Sequence, residues 1–357
     1  MSSVYIIAEA GVNHNGSLDM AHRLIDAAAL AGVDAVKFQT FNAEKLASKS
    51  VKKAAYQIEN TGSGESQFEM LKKLELSYDW HHELKQHANA AGLDFLSTAF
   101  DPESLEFLAG LDMPFIKVPS GEITNAPLLW KFARLRKKIV LSTGMATLSE
   151  VEFALAVINH AFSHDCEPDS TLEVWKGWSD AEARKRLVDN VVLLHCTSLY
   201  PTKVSDVNLK AMDTIANAFG LRVGYSDHTQ GILMPIAAVA RGAVLIEKHF
   251  TLDRDLPGPD HKASLEPEEL IQMTKAIRDV SVALGDSIKA PQSAEWSTRS
   301  VARQQVIAAR DIAAGNVISR GDLGTSRAGK GISASCLWDI VGSVANRSYL
   351  QGELIEF

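Results

Sequence analysis

Arg222-Val-Gly-Tyr-Ser-Asp-His228 and Val244-Leu-Ile-Glu-Lys-His249-Phe250 are the two stretches that decide the fold. Each is a short apolar run ending in a polar cluster that contains a histidine, and a helix-length segment, Gly231 to Arg241, separates them. Parallel strands need such a crossover, so the pattern predicts a βαβ unit with both histidines at the carboxyl ends of neighbouring strands. Two imidazoles there, with Ser226, Asp227 and Glu247 alongside, form a candidate metal and substrate site rather than a piece of core.

The same alternation runs back to the N-terminus. Val4–Ala8 is a β-rich apolar run ending at Glu9, and Ser17 is placed to cap a helix carrying Leu18, Ala21, Leu24, Ile25 and Ala28 on one face. Further strands are expected at 35–39, 93–98, 115–118, 139–144 and 191–196, with helices at 78–91, 102–110, 126–136, 149–160 and 208–219 between them. The amphipathic segment Glu266–Leu284 closes the series. Eight strand-then-helix units in about 285 residues predict a (β/α)8 barrel, with a doubly wound open sheet as the alternative. Two stretches break the rhythm. Lys49–Gln67, with Thr61-Gly-Ser-Gly64, reads as a long polar loop above the barrel, and Ser163–Asp189 as an acidic insertion bearing Trp175 and Trp178.

Residues 286–300 read as a linker, and 301–357 change texture to short apolar pairs split by Asp and Gly turns. That predicts a small β-rich domain whose core is marginal by itself and calls for a second surface to pack on. Residues 1–285 form the barrel domain in this reading. Cys166, Cys196 and Cys336 are widely spaced with no CxxC, so a reducing cytoplasm is the expected compartment. The N-terminus lacks a basic leader and no apolar run reaches the ~20 residues of a membrane helix. A net charge of −8 argues against nucleic acid as a partner.

A barrel gathers the polar residues at its strand ends into one site. Those residues are Glu9, Lys37, Gln39, Ser97, Thr98, Lys117, Ser142, Thr143, His195, Ser226 to His228, and Glu247 to His249. A closed barrel has no edge on which Lys37 and Lys117 could meet solvent, so they are expected to pair with a ligand. Two lysines, several hydroxyls and the Ser120-Gly121 and Thr143-Gly144 pairs suit a small ligand bearing phosphate and carboxylate. No P-loop or GxGxxG is present, which disfavours ATP and dinucleotides. Two neutral histidines with other positions open fit Mn²⁺ better than a structural zinc, and such an ion polarises an aldehyde oxygen. Glu9 and Glu122 supply acid/base capacity, although Glu122 also reads as a helix-start charge beside Asn125.

At this point the chain resembles the sialic acid synthase family, which condenses phosphoenolpyruvate with an N-acetylated hexosamine. The matching motifs are Ile7-Ala-Glu-Ala-Gly-Val-Asn-His-Asn-Gly16, Val36-Lys-Phe-Gln-Thr40, Ser97-Thr-Ala-Phe-Asp101, Lys117-Val-Pro-Ser-Gly-Glu122, Leu141-Ser-Thr-Gly-Met145, His195-Cys-Thr-Ser-Leu-Tyr-Pro201, Gly224-Tyr-Ser-Asp-His-Thr229, Glu247-Lys-His-Phe250 and Gly258-Pro-Asp-His261. The tail, with Arg327-Ala-Gly-Lys-Gly331, is similar to that family's antifreeze-like (SAF) domain. The resemblance implies that His228 and His249 hold Mn²⁺ and that Lys37, Thr98, Lys117, Ser120, Ser142 and Ser226 hold phosphoenolpyruvate. It implies that Gln39, Tyr200, Asp260 and Glu122 contact the sugar, with Glu9 by its reacting end. It also implies a domain-swapped homodimer in which Arg327 reaches the partner's barrel.

Some positions depart from the family pattern. Ser198, in the sugar part of the site, stands where sialic-acid-forming members often carry Asn; Thr-Lys follows Pro201, and Ala follows Arg327. These departures bear on the sugar and not on the reaction. The expected reaction is therefore N-acetylneuraminate synthesis from N-acetylmannosamine. The same condensation on a 2,4-diacetamido sugar (legionaminic or pseudaminic acid synthesis) or on N-acetylmannosamine 6-phosphate is the alternative. Rivals from other classes are a metal-dependent pyruvate aldolase and a silent sugar- or ice-binding protein.

Overall fold

A computed structural model describes residues 4–48, 51–62 and 64–356 and divides into two compact units, Met1–Gly285 and Asp286–Phe357. The first is built on eight parallel strands: β1 (Tyr5–Gly11), β2 (Ala35–Thr40), β3 (Asp94–Ala99), β4 (Ile116–Val118), β5 (Ile139–Ser142), β6 (Val191–Cys196), β7 (Arg222–Asp227) and β8 (Leu245–His249). Their order is β3-β2-β1-β8-β7-β6-β5-β4. The two ends of that order, β3 and β4, lie against each other, so the sheet comes round into a barrel. The strands are buried on both faces, as apolar runs enclosed by helices must be.

The helices follow from caps and stripes. Ser17 Oγ accepts from the Met20 N–H, the helix Leu18–Leu30 starts there, and Ala21, Leu24, Ile25 and Ala28 face the sheet. Truncating Leu24, which has no exposed surface, is expected to cost about 2–5 kcal/mol.

Both stretches that broke the rhythm are helical. The polar excursion holds the helix Ala55–Thr61 rather than only a loop, with short helices Ala43–Leu46 and Gln67–Lys73 on either side of it; Lys49, Ser50 and Ser63 lie outside the described residues. Its organising group is a buried lysine. Lys53 Nζ donates to Thr61 Oγ1 (2.9 Å), the Gly62 carbonyl (3.2 Å) and Glu65 Oε1 (3.2 Å), so a sequence that reads as solvated is tied internally. In the insertion, Leu148–Ser163 is extended by helices Thr171–Trp178 and Ala181–Asn190, capped by Ser170 and Asp180.

In the second unit β9 (Gln305–Ala308) pairs antiparallel with β10 (Leu323–Ser326) over a core of Val306, Ala308, Ile318, Leu323, Tyr349 and Ile355. The stretch expected to be an irregular linker carries a helix, Glu295–Ala302. Among the described residues no helix is long and apolar enough to cross a membrane.

Candidate active site

Side chains alternate along a strand, and here the alternation separates two chemistries. On β7 and β8 and just beyond them, Ser226, His228, Glu247 and His249 line one cavity. The intervening Asp227 and Lys248 face the other way and pair with each other, Nζ to Oδ2 2.6 Å, with no exposed surface on either side chain. Tyr225 Oη donates to Asp227 Oδ1 (2.9 Å), and Thr229 gives Asp227 its N–H and hydroxyl. Asp227 is therefore a scaffold group, which corrects the expectation that it stands beside the histidines.

The cavity is about 410 Å³ and gathers Glu9, Lys37, Gln39, Thr98, Lys117, Ser120, Ser142, Ser198, Tyr200 and Asp260 from the other strand ends and loops. The register explains the convergence. Glu9 on β1 is level with Lys37 on β2 and with His249 on β8, and Gln39 is level with Thr98.

Charge is arranged around two carboxylates. Lys37 Nζ lies 2.6 Å from Glu9 Oε2 and 3.5 Å from Glu247 Oε2, and donates to Thr98 Oγ1 (2.8 Å). Lys117 Nζ lies 3.4 Å from Glu247 Oε1, which also accepts from Ser226 Oγ (2.8 Å). Burial pushes Glu247 upward, but Lys117, Lys37 and the Ser226 hydroxyl outweigh it and hold the carboxyl at about 2. Burial wins at Glu9, whose pKa is raised although Lys37 pulls it down. The same burial depresses Lys117, only partly offset by Glu247, whereas the two carboxylates overcome burial and raise Lys37. Asp260, buried and facing the field of Glu9, is pushed up to about 7.

The imidazoles sit under two tyrosines. The rings of His228 and His249 are 5.7 Å apart, and Tyr200 packs 4.2 Å from His228 and 5.7 Å from His249. Tyr56, from the helix Ala55–Thr61, covers Tyr200 at 5.2 Å. Asn60 on that helix donates to the Pro259 carbonyl (2.6 Å) beside Asp260, joining the helix to the loop after β8. Gly11, at φ +53, lets β1 end close to His249; a Cβ there would meet the ring at 3.2 Å.

These histidines fit a cation. His228 Nδ1 is 2.7 Å from the Thr197 carbonyl, which places its proton there and leaves Nε2 as a lone pair. His249 Nδ1 is buried with no hydrogen-bond partner. Burial holds both rings below the usual imidazole range and so neutral. Among the described residues no three His, Cys, Asp or Glu side chains gather as a ligand set, so the chain offers two imidazoles with other positions open.

Several expected residues lie elsewhere. Glu122 does not line the cavity; its Oε2 accepts from Asn125 Nδ2 (2.6 Å) at the start of the helix Ala126–Arg134, the alternative its neighbour suggested. Thr143 Oγ1 is bound to the Leu194 carbonyl, and His195 Nε2 to the Val207 carbonyl. Ser97 bonds Thr40 behind the strand. Arg327 follows β10 in the second unit and is exposed. Lining residues that escaped the sequence reading include Tyr56, hidden in a polar run, and Cys196, whose strand-end position was the available signal.

Fold and cavity together define a (β/α)8 barrel that gathers two lysines, two glutamates and two histidines at its strand ends in one buried cavity. The chain belongs to the NeuB family, whose model matches residues 24–289, and a SAF domain model matches residues 303–357. It is 47% identical to the N,N'-diacetyllegionaminic acid synthase of Campylobacter jejuni over 99% of each chain. It is 46% identical to the enzyme of the same name from Legionella pneumophila, over 95% of this chain and 89% of the other. The crystal structure of an N-acetylneuraminic acid (sialic acid) synthetase from Leptospira borgpetersenii, in complex with citrate, superposes with a TM-score of 0.67 at 33% identity, covering 83% of this chain and 90% of that one. The protein is thus an enzyme, a phosphoenolpyruvate-dependent synthase that forms a carbon–carbon bond.

Proposed function

We propose that the sugar substrate is a 2,4-diacetamido hexose and the product N,N'-diacetyllegionaminic acid. The nearly full-length identity to two synthases of that name supports this over the N-acetylmannosamine expected from the motifs. The reaction itself rests on one observation, the convergence of Lys37, Lys117, Glu9, Glu247, His228 and His249 on a single buried cavity.

Lys37 and Lys117 offer two cationic side chains to an arriving phosphate and carboxylate, and burial, by raising the pKa of Glu9, lessens the negative charge that opposes it. The anion in turn restores the proton affinity that burial takes from Lys117. Thr98, Ser120, Ser142 and Ser226 supply hydroxyls around it, and Gln39, Ser198, Tyr200 and Asp260 face the sugar. His228 and His249 would hold a divalent cation such as Mn²⁺, which supplies Lewis-acid polarisation of the sugar carbonyl. Carbon 3 of phosphoenolpyruvate attacks the aldehyde carbon of the open-chain sugar, whose oxygen takes a proton. Asp260, near neutrality, or Glu9 is in place to give it. Water adds at carbon 2, and phosphate leaves with cleavage of its carbon–oxygen bond. In the same reading Arg327 serves the barrel of a second copy in a homodimer, supported by the family resemblance of the tail.

The deciding experiment offers N-acetylmannosamine, its 6-phosphate and 2,4-diacetamido sugars, each with phosphoenolpyruvate and Mn²⁺. The highest kcat/KM is expected for a 2,4-diacetamido sugar, and preference for N-acetylmannosamine refutes the substrate assignment. Phosphoenolpyruvate labelled at its bridging oxygen should release phosphate that keeps the label; label left in the acid product and missing from the phosphate rules out carbon–oxygen cleavage at carbon 2.

A further inference from the structure

Gly144 Nα donates to Ser120 Oγ (3.1 Å), and Cys196 Sγ lies 3.2 Å from the same oxygen. The three groups come from the ends of β4, β5 and β6, and the fit is tight: a Cβ on Gly144 would meet Ser198 Oγ at 2.4 Å, Ser120 Oγ at 2.7 Å and Cys196 Sγ at 3.0 Å. Cys196 is buried, yet its side chain reaches the cavity wall beside Lys117. Burial raises the thiol, with Ser120 and Lys117 only partly opposing, so the sulfur keeps its hydrogen.

A serine hydroxyl has one hydrogen and two lone pairs. The Gly144 N–H fills one lone pair. The hydrogen then goes either to Cys196 sulfur, a weak acceptor, or into the cavity. An anion there is by far the better acceptor, and the Cys196 S–H is free to fill the second lone pair once the hydroxyl turns. We infer that Cys196 is a positioning residue for phosphoenolpyruvate: its thiol donates to Ser120 Oγ and so turns the Ser120 hydroxyl hydrogen toward the bound anion. This rests on the reading of Ser120 as an anion ligand.

The test uses the full chain with Cys166→Ser and Cys336→Ser, leaving Cys196 as the single thiol. Cys196→Ala is expected to weaken phosphoenolpyruvate, in KM and in Kd by calorimetry, about five- to tenfold, the effect of one misdirected hydrogen bond of about 1 kcal/mol. The change in kcat should stay under about twofold, and Cys196→Ser, which keeps a donor, should recover most of the loss. In the single-thiol protein the infrared S–H stretching band should move to lower wavenumber when phosphoenolpyruvate is added, a readout that needs no variant at Cys196. An unchanged band, unchanged affinity in Cys196→Ala, or equal damage from Ala and Ser overturns the inference alone. Absence of phosphoenolpyruvate binding in the parent protein overturns the functional reading, and the inference with it.

Discussion

Lys37 and Glu9 meet at the same level of the barrel across β1 and β2, Nζ to Oε2 2.6 Å, with 3% and 2% of their surfaces exposed. Lys37 also faces Glu247, so one ammonium serves two buried carboxyls. Lys37→Met should destabilise the fold by about 3–5 kcal/mol, because it leaves buried charge without its partner. Lys117→Met should lose less, since Glu247 keeps Lys37 and Ser226. Both should lose phosphoenolpyruvate binding. Urea unfolding and calorimetry check this; equal stability losses would contradict the asymmetry.

Asp260 gives a pH signature. Its folded pKa of about 7 lies above the ordinary 3.8, so between those values the native state holds a proton that the unfolded chain has released. Stability therefore falls as pH rises from about 4 to 7, by up to about 4 kcal/mol from this group. Above pH 7 the loss is complete and the curve flattens. Asp260→Asn should melt higher than the parent at pH 8 and nearly level with it at pH 4. Parallel melting curves across that range would show that Asp260 does not carry the shift.

Removing a bound cation should silence the enzyme. Chelation is expected to lower turnover by at least about a hundredfold, with recovery on adding Mn²⁺. The double variant His228→Ala/His249→Ala should show neither recovery nor a Mn²⁺-dependent rise in melting temperature. Equal stimulation of parent and variant would place the ion elsewhere.

The Asn60–Pro259 bond ties the helix under Tyr56 to the loop bearing Asp260. Asn60→Ala should raise the sugar KM about five- to tenfold and leave phosphoenolpyruvate affinity within about twofold, because it frees only the side of the cavity that carries the tyrosines. A matching loss for both substrates would mean that the bond supports the cavity as a whole.

Much of the barrel was legible because strands buried on both faces and capped helices leave local marks. The βαβ unit ending in His228 and His249 is the clearest case. The helices of the polar excursion were hidden, since what organises them is the burial of Lys53, a tertiary event in a sequence that reads as solvated. Among site residues, a list of polar strand ends mixed two faces. Strict period-two counting separates Ser226 and Glu247 from Asp227 and Lys248, but Glu122 lies on a short helical turn after β4, where that count stops applying. Tyr56 reaches the cavity, against Tyr200, from a helix whose placement no local pattern encodes.

The paired Asp227 and Lys248 behind the histidines bear on how such an enzyme diversifies. They fasten β7 to β8 from the side away from the cavity, so the inward Ser226, Glu247 and His249 keep their places while the loops that carry Ser198, Tyr200 and Asp260 are free to vary. Selectivity among related sugars then becomes a property of interchangeable furnishings in a fixed room, and lineages can exchange one substrate for another without refolding the frame.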